Sequence, residues 1–361
     1  MSGNKATKVY DDDFDDLDYL PDVRNMPKPK ARPGGKLRPN RKPKPKAPEI
    51  AVQLTDQADD REAFNFSYRA SRHEYGWLIQ SLGGFYEQHW LDDVLHLVKG
   101  GKEANVYLCK ANPSVVNLDQ PYLAAKVYRP RQFRNLRNDH MYREGRPALD
   151  ESGLVIFDDR KLRAMQKQTA FGQTLTHTSW IEYEVQALTV LHQAGADVPF
   201  PYARGNNAIL MTYIGNEDEP APTLNTIDLQ NKEARRLFER VLHNIELMLA
   251  NNRVHGDLSA YNILYWDGEI TLIDFPQVVE PDGNRSAYKI FERDVVRVCE
   301  YFARQGVHAN PRRLAADLWN SHGHRMAPEV HPALLDAENK ADRAFWQQQN
   351  KGVLDRQLRR S

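Results

Sequence analysis

The sequence predicts an α+β fold of two lobes behind a disordered N-terminal tail. Three observations predict it. Short apolar strands cluster between residues 91 and 128 and recur at 208–215. A long amphipathic stretch at 233–251 runs directly into a strand hairpin. Ahead of both lies a proline-rich, charge-segregated segment with almost no large apolar residue. The chain has 361 residues and is 41% apolar, enough to bury a substantial core. No apolar run approaches the roughly 18 residues a membrane helix needs. The N-terminal MSGNKATKVYDDDFDD lacks the apolar stretch of a signal peptide. The two cysteines, Cys109 and Cys299, supply neither a disulfide framework nor a zinc site. The expectation is a cytoplasmic protein with two buried thiols and no membrane contact.

Net charge is zero, but its distribution is uneven. Residues 11–22 carry seven Asp, and residues 24–46 carry ten Lys and Arg and no acid. Seven prolines lie between Pro27 and Pro48. Such a segment cannot offset its ordering entropy by burial, so residues 1–50 read as a disordered acidic and basic tail. It is either a basic arm for RNA or a ribosomal particle, or a solubilising segment, or an acidic block that folds back on the basic one. Residues 51–90 read as an N-terminal helical extension, 91–215 as the first lobe with an insert at 129–178, and 216–361 as the second lobe.

In the first lobe, LDDVLHLVKGGKEANVYL (91–108) places Gly100-Gly101 between two strand-like runs. A glycine turn lets backbone N–H groups approach a phosphate, although most such turns are only turns. The next strand, Tyr122 to Tyr128, holds one charge, Lys126. It is either a lysine snorkelling from an edge strand or a phosphate-binding lysine held by a carboxylate. A helix predicted over Ser179–Gln193 offers Glu184 as that partner and Glu182 as the competitor. Residues 208–215 form a short buried strand ending at Gly215, and NEDEPAPTLN leads out of the lobe.

In the second lobe, Leu237, Val241, Ile245 and Leu249 share one face of the 233–251 helix. His255-Gly256-Asp257 comes next, with Asn262 five residues after Asp257, the spacing of a kinase catalytic loop. Ile263-Leu264-Tyr265, an Asp267-Gly268 turn and Ile270 to Ile273 form a hairpin that delivers Asp274 beside Asn262. Phosphoryl transfer calls for this set, because the protein mainly positions metal and phosphates. Asn262 and Asp274 are hard oxygen ligands suited to Mg²⁺. Asp257 accepts a hydroxyl proton or orients the nucleophile. Lys126 holds the α- and β-phosphates. Taken singly, Asp257 and Asn262 also read as turn caps and Asp274 as a helix cap.

From about Val98 to about Phe302 these motifs resemble the RIO family of atypical serine/threonine protein kinases, of the type without a winged-helix domain. Gly101-Lys102-Glu103-Ala104-Asn105-Val106-Tyr107 resembles the family's phosphate loop, and Ala125 to Tyr128 its strand-lysine motif. Trp180 to Leu188 resembles its Glu-bearing helix. Leu210 to Gly215 resembles its hinge, with Met211 as gatekeeper and Tyr213 and Ile214 beside the nucleotide. Arg293-Asp294 resembles its structural Asp. The resemblance implies a two-lobed kinase fold of reduced type, use of ATP and Mg²⁺, and serine autophosphorylation. It also implies ATPase behaviour through an aspartyl phosphate on Asp274, and a role in small-subunit ribosome maturation. Gly101, Lys102, Lys126 and Glu184 are then nucleotide-binding residues, Asn262 and Asp274 metal ligands, and Asp257 and Asp274 catalytic. The chain departs from the family in having Gly100 where members often have serine, and Phe275-Pro276 after Asp274.

Two other functions share parts of this pattern. A small-molecule kinase of the aminoglycoside or choline type has the HGD, Asn and IDF elements but not GKEANVY. A non-catalytic RNA- or ribosome-docking module has no need of all six polar positions (Lys126, Glu184, Asp257, Asn262, Asp274 and Asp294). His322, His324 and His331 near the C-terminus read as loop histidines rather than a metal site.

Overall fold

Two sheets and a set of helices arise where the apolar periods change. The computed structural model describes residues 64–116, 118, 120–129, 142, 144–325, 342–344 and 346. The tail expected at 1–50, the first part of the helical extension and His331 lie outside them. All described residues belong to the unit Glu62–Ser361.

Helix α1 (Arg72–Glu87) opens with a capping box between Ser71 and Glu74 and buries Leu78, Leu82 and Phe85. Strands β1 (Leu91–Gly100), β2 (Ala104–Ala111) and β3 (Tyr122–Tyr128) come next, and β4 (Pro201–Arg204) and β5 (Ala208–Thr212) complete an antiparallel sheet ordered β1-β2-β3-β5-β4. Its two faces bury separate clusters. Val94, Tyr107, Cys109 and Leu123 pack toward Leu78 and Leu82 of α1. Leu108, Ala124, Tyr128 and Met211 pack toward Ile181. Six of the seven residues of β3 are buried, as its central place demands.

Helix α2 (Asp159–Gln166) lies in the insert, and α3 (Ala170–Gln193) comes after it. The sequence places the start of α3 at Ser179, and the structure starts it at Ala170. Phe171 to His177 carry no apolar stripe of helical period, so the periodicity hides these first turns. Thr169 supplies the cap by accepting from the Gly172 N–H at 3.1 Å. The C-terminal half of α3 (Ala187, Leu188 and Leu191) leaves the sheet and enters the core of the second lobe.

That core is built on α4 (Asn231–Ala250), α5 (Ala287–Arg304) and α6 (Pro311–Ser321). Leu237, Val241, Val295, Phe302 and Trp319 are all within it and fully or almost fully buried. The hairpin of β6 (Ile263–Trp266) and β7 (Glu269–Leu272) turns at Asp267 and Gly268, both with positive φ, as the Asp-Gly pair predicts. Asn244 on α4 accepts from the Asp197 N–H and donates to the Asp197 carboxylate, both at 2.7 Å. The loop after α3 is thereby tied to the helical lobe.

Cys109 and Cys299 are buried free thiols, as expected, and burial pushes the Cys299 thiol up to about 11. His322 and His324 hydrogen-bond to the carbonyls of Leu318 and Leu249 at 2.9 and 3.0 Å. No helix among the described residues is long and apolar enough to cross a membrane.

Leu237→Ala is predicted to lower folding stability by about 3 kcal/mol, the usual cost of a buried leucine in a close-packed core. Urea unfolding followed by circular dichroism checks it, and a midpoint equal to wild type contradicts the assigned core.

Candidate active site

Lys126 is an ammonium on the middle strand of the sheet and is only 8% exposed. An edge-strand lysine reaching for solvent is therefore ruled out. Burial of an unpaired charge is costly, so the ion requires partners. Its Nζ lies 2.5 Å from Glu184 Oε1 and 2.6 Å from Asp274 Oδ1. Glu184 is 1% exposed, and its other oxygen accepts from the Tyr128 hydroxyl at 2.5 Å. The Phe275 N–H adds a bond to Glu184 Oε1 at 3.3 Å. Glu182, two residues away on α3, faces elsewhere and pairs with Arg204 at 3.1 Å. The helical offset between the two acids decides which one meets the sheet.

Asp274 lies just past the end of β7 and holds a positive φ of 72°. Enclosure pushes its carboxyl pKa up, but the Lys126 ammonium outweighs that and holds it below the usual carboxylate range. His255 and Lys99 add smaller contributions of the same sign. For Lys126, burial lowers the pKa, and the two carboxylates more than reverse it, raising it above the ordinary lysine value.

The loop carrying Asp257 hangs from α5. Gly256 has φ of 84°, and a Cβ there would sit 2.2 Å from the Gln277 carbonyl oxygen, so only glycine fits. The Gly256 N–H donates to Asp294 Oδ2 at 2.8 Å, and Arg293 donates to the Gly256 carbonyl. Asp294 is 2% exposed, and burial pushes its pKa up against the pull of Arg293. His255 bonds the Ile273 carbonyl at 3.1 Å, joining this loop to the segment that leads from β7 to Asp274. Asn262 Nδ2 donates to the Asp257 carbonyl at 2.9 Å and to its carboxylate at 3.2 Å. The other Asp257 oxygen accepts from Arg297 on α5 at 2.8 Å. Sequence spacing gives no sign of Arg297, which lies forty residues from Asp257.

The β1–β2 turn closes the site from above. Asn105 Oδ1 accepts from the Gly101 N–H at 3.4 Å and from Arg129 at 3.1 Å. Asn105 Nδ2 donates to the Tyr107 hydroxyl at 3.0 Å, which donates to Glu74 of α1 at 2.7 Å. The turn is thereby anchored to the N-terminal helix, a contact that the sequence does not reveal.

All ten predicted site residues line one cleft of about 670 Å³: Gly101, Lys102, Lys126, Glu184, Met211, Tyr213, Ile214, Asp257, Asn262 and Asp274. Val98, Ala124, Leu264 and Ile273 give it apolar walls. That combination of volume, apolar wall and convergent polar groups is what a small-molecule site requires. A shallower hollow of about 860 Å³ behind β4 shares only Ile214 with this set.

The Lys126–Asp274 pair has a defined pH window. The raised lysine value means that its contribution is complete below about pH 10.4 and is lost as pH rises through the higher folded value. The lowered Asp274 value means that its contribution is complete above about pH 4 and is lost as pH falls further. The stability difference between wild type and a Lys126→Met/Glu184→Gln/Asp274→Asn variant, in which none of the three groups titrates, is therefore predicted to stay level from about pH 5 to about pH 10. Thermal unfolding across that range checks it, and a marked change between pH 6 and 8 contradicts it.

Comparison with known proteins bears on the same residues. The RIO domain model of the RIO1 type matches residues 114–314, more than half of the chain. The glycine turn at 100–101 lies outside that match. The RIO-type serine/threonine-protein kinase Rio1 of Haloferax volcanii is 31% identical over 219 residues, which are 59% of this chain and 64% of that protein. This chain thus spans less than two thirds of that relative. Rio1 of Thermoplasma acidophilum is 31% identical over 135 residues, 37% of this chain and 69% of that protein. Human serine/threonine-protein kinase RIO1 is 34% identical over 130 residues, 36% of this chain and 23% of that protein. The solved structure of the Cydia pomonella granulovirus kinase PK-1 aligns at a TM-score of 0.33 and 11% identity, covering 55% of this chain and 58% of that one, too loosely to carry an inference. Matched across both lobes, the chain belongs to the RIO family of serine/threonine kinases.

Proposed function

We propose that this protein transfers the γ-phosphoryl group of ATP to a serine or threonine hydroxyl, in itself or in a protein substrate. The observation that carries the reading is the buried Lys126, bonded to Glu184 and Asp274 at the wall of the cleft that also holds Asp257 and Asn262. The donor set fits nucleotide and metal. Lys126 presents a fixed ammonium to phosphate oxygens. Asp274 and Asn262 are hard oxygen ligands, and Mg²⁺ accepts one or two such groups together with phosphates and water. The metal supplies charge neutralisation at the phosphate oxygens. Met211, Tyr213 and Ile214 on and after β5, with Ala124 and Leu264, form the apolar walls for a purine.

Asp257 has the part of proton acceptor. The bond from Arg297 orients one oxygen, and the bond from Asn262 orients the other. As the substrate hydroxyl attacks the γ-phosphorus, its proton passes to the Asp257 carboxylate and ADP leaves. With water as final acceptor, an Asp274 carboxylate oxygen attacks the γ-phosphorus and ADP leaves. Water then attacks the phosphorus of the acyl phosphate, releasing inorganic phosphate and restoring the carboxylate. This second route is the ATPase arm of the proposal. RNA within a ribosomal particle, engaged through the basic stretch 24–46, is the proposed larger partner.

Incubation with γ-labelled ATP and Mg²⁺ tests the reading. Wild type should take up label as acid-stable phosphoserine or phosphothreonine, or as hydroxylamine-sensitive acyl phosphate. Asp257→Ala is predicted to reduce transfer to hydroxyls at least about 100-fold while nucleotide binding persists. Full activity in that variant would remove Asp257 from its assigned role. Deleting residues 1–50 is predicted to spare ATP turnover and to weaken RNA binding at low salt. An RNA affinity unchanged by the deletion would leave the tail a solubilising segment.

A further inference from the structure

β1 does not pair evenly with β2. Leu97 lies opposite Tyr107 and Lys99 opposite Val106, so β1 spends two steps where β2 takes one. The extra residue, Val98, makes a β-bulge. Without it, Lys99 would share the face of Leu97, because residues two apart on a strand point the same way. That face carries Tyr107 and the cluster packed on α1. The bulge turns Lys99 over to the face of Val106, which lines the cleft. Bulges re-aim side chains in this way beside functional sites.

Val106 is also the register partner of Lys126 on β3. Lys99, Val106 and Lys126 thus form one row across three strands on the cleft face. With strands about 4.8 Å apart, the two lysines stand about 10 Å from each other along that row. Both line the cleft. Their circumstances differ. Lys126 is neutralised by Glu184 and Asp274, whereas among the described residues the Lys99 side chain has neither ion pair nor hydrogen bond. Gly100 and Gly101, between Lys99 and the turn, offer no hydroxyl to a phosphate. The field of Lys99 already reaches the Asp274 carboxylate.

We propose that Lys99 is a second polyphosphate-binding cation, set in line with Lys126 by the bulge at Val98. This rests on the reading of the cleft as a nucleoside triphosphate site and names a further residue of that site. A cation two strands away from Lys126 is reached by the longer phosphate chain of ATP and not by the single phosphate of AMP.

The test is calorimetric binding of ATP and AMP, with Mg²⁺, to wild type, Lys99→Ala and Lys99→Arg, at low and at high salt. Lys99→Ala should bind ATP about five- to tenfold more weakly, the size expected for one partly screened charge contact, and AMP as wild type does. Lys99→Arg should retain most of the ATP affinity, and the Lys99→Ala deficit should shrink at high salt. ATP affinity equal to wild type in Lys99→Ala overturns the proposal. An equal loss for ATP and AMP also overturns it, since that marks a disturbed cleft rather than a lost phosphate contact. If wild type itself binds no ATP, the nucleotide reading fails and this inference falls with it. If Lys126→Ala weakens ATP binding while Lys99→Ala does not, only this inference falls.

Discussion

A lysine ammonium buried on the middle strand of a sheet is the constraint around which the site is assembled. It cannot remain there unpaired, and the two carboxylates that satisfy it come from α3 and from the end of β7. The charge on β3 therefore draws together elements that are 58 and 148 residues away in the chain. Tyr128, on the same strand, occupies the second oxygen of Glu184 and prevents that carboxylate from turning away. An ion pair of this kind adds little net stability against an apolar replacement, but losing one partner is costly. It joins β3 to Glu184 on α3 and to Asp274 after β7.

A second anchor works independently on the other side of the cleft. Buried Asp294 holds the amide of Gly256, and Arg293 holds its carbonyl, so the turn before Asp257 is pinned on both sides to α5. Asp257 itself is set between Arg297 and Asn262. One anchor fixes Lys126, and the other fixes Asp257. The RIO domain match spans Lys126, Glu184, Asp257, Asn262, Asp274 and Asp294.

Much of this is legible in the sequence, for physical reasons that differ from residue to residue. The spacing of Asp257, Asn262 and Asp274 can be read because a short loop and a tight Asp-Gly hairpin leave little freedom between them. The sequence favours Glu184 over Glu182, and the offset of the two acids on α3 sets Glu184 against Lys126 and Glu182 against Arg204. The start of α3 is not legible, since Thr169 caps a segment without an apolar stripe. Arg297 and Glu74 give no sequence signal because their partners come from distant elements, and one sequence records no pairing between them. The bulge at Val98 is hidden for another reason. An extra residue in a strand turns every later side chain to the opposite face without changing the composition, and only the register reveals it.

The most direct test of the central claim is a double-mutant cycle on Lys126 and Glu184, using Lys126→Met, Glu184→Gln and the pair, with unfolding free energy and MgATP affinity measured for each. If the buried ion pair organises the site, the two substitutions will be strongly non-additive in stability, with a coupling of roughly 1–3 kcal/mol. The double variant will then bind MgATP no more weakly than Lys126→Met alone. Effects that add within about 0.5 kcal/mol in stability, and independently in binding, would contradict the account.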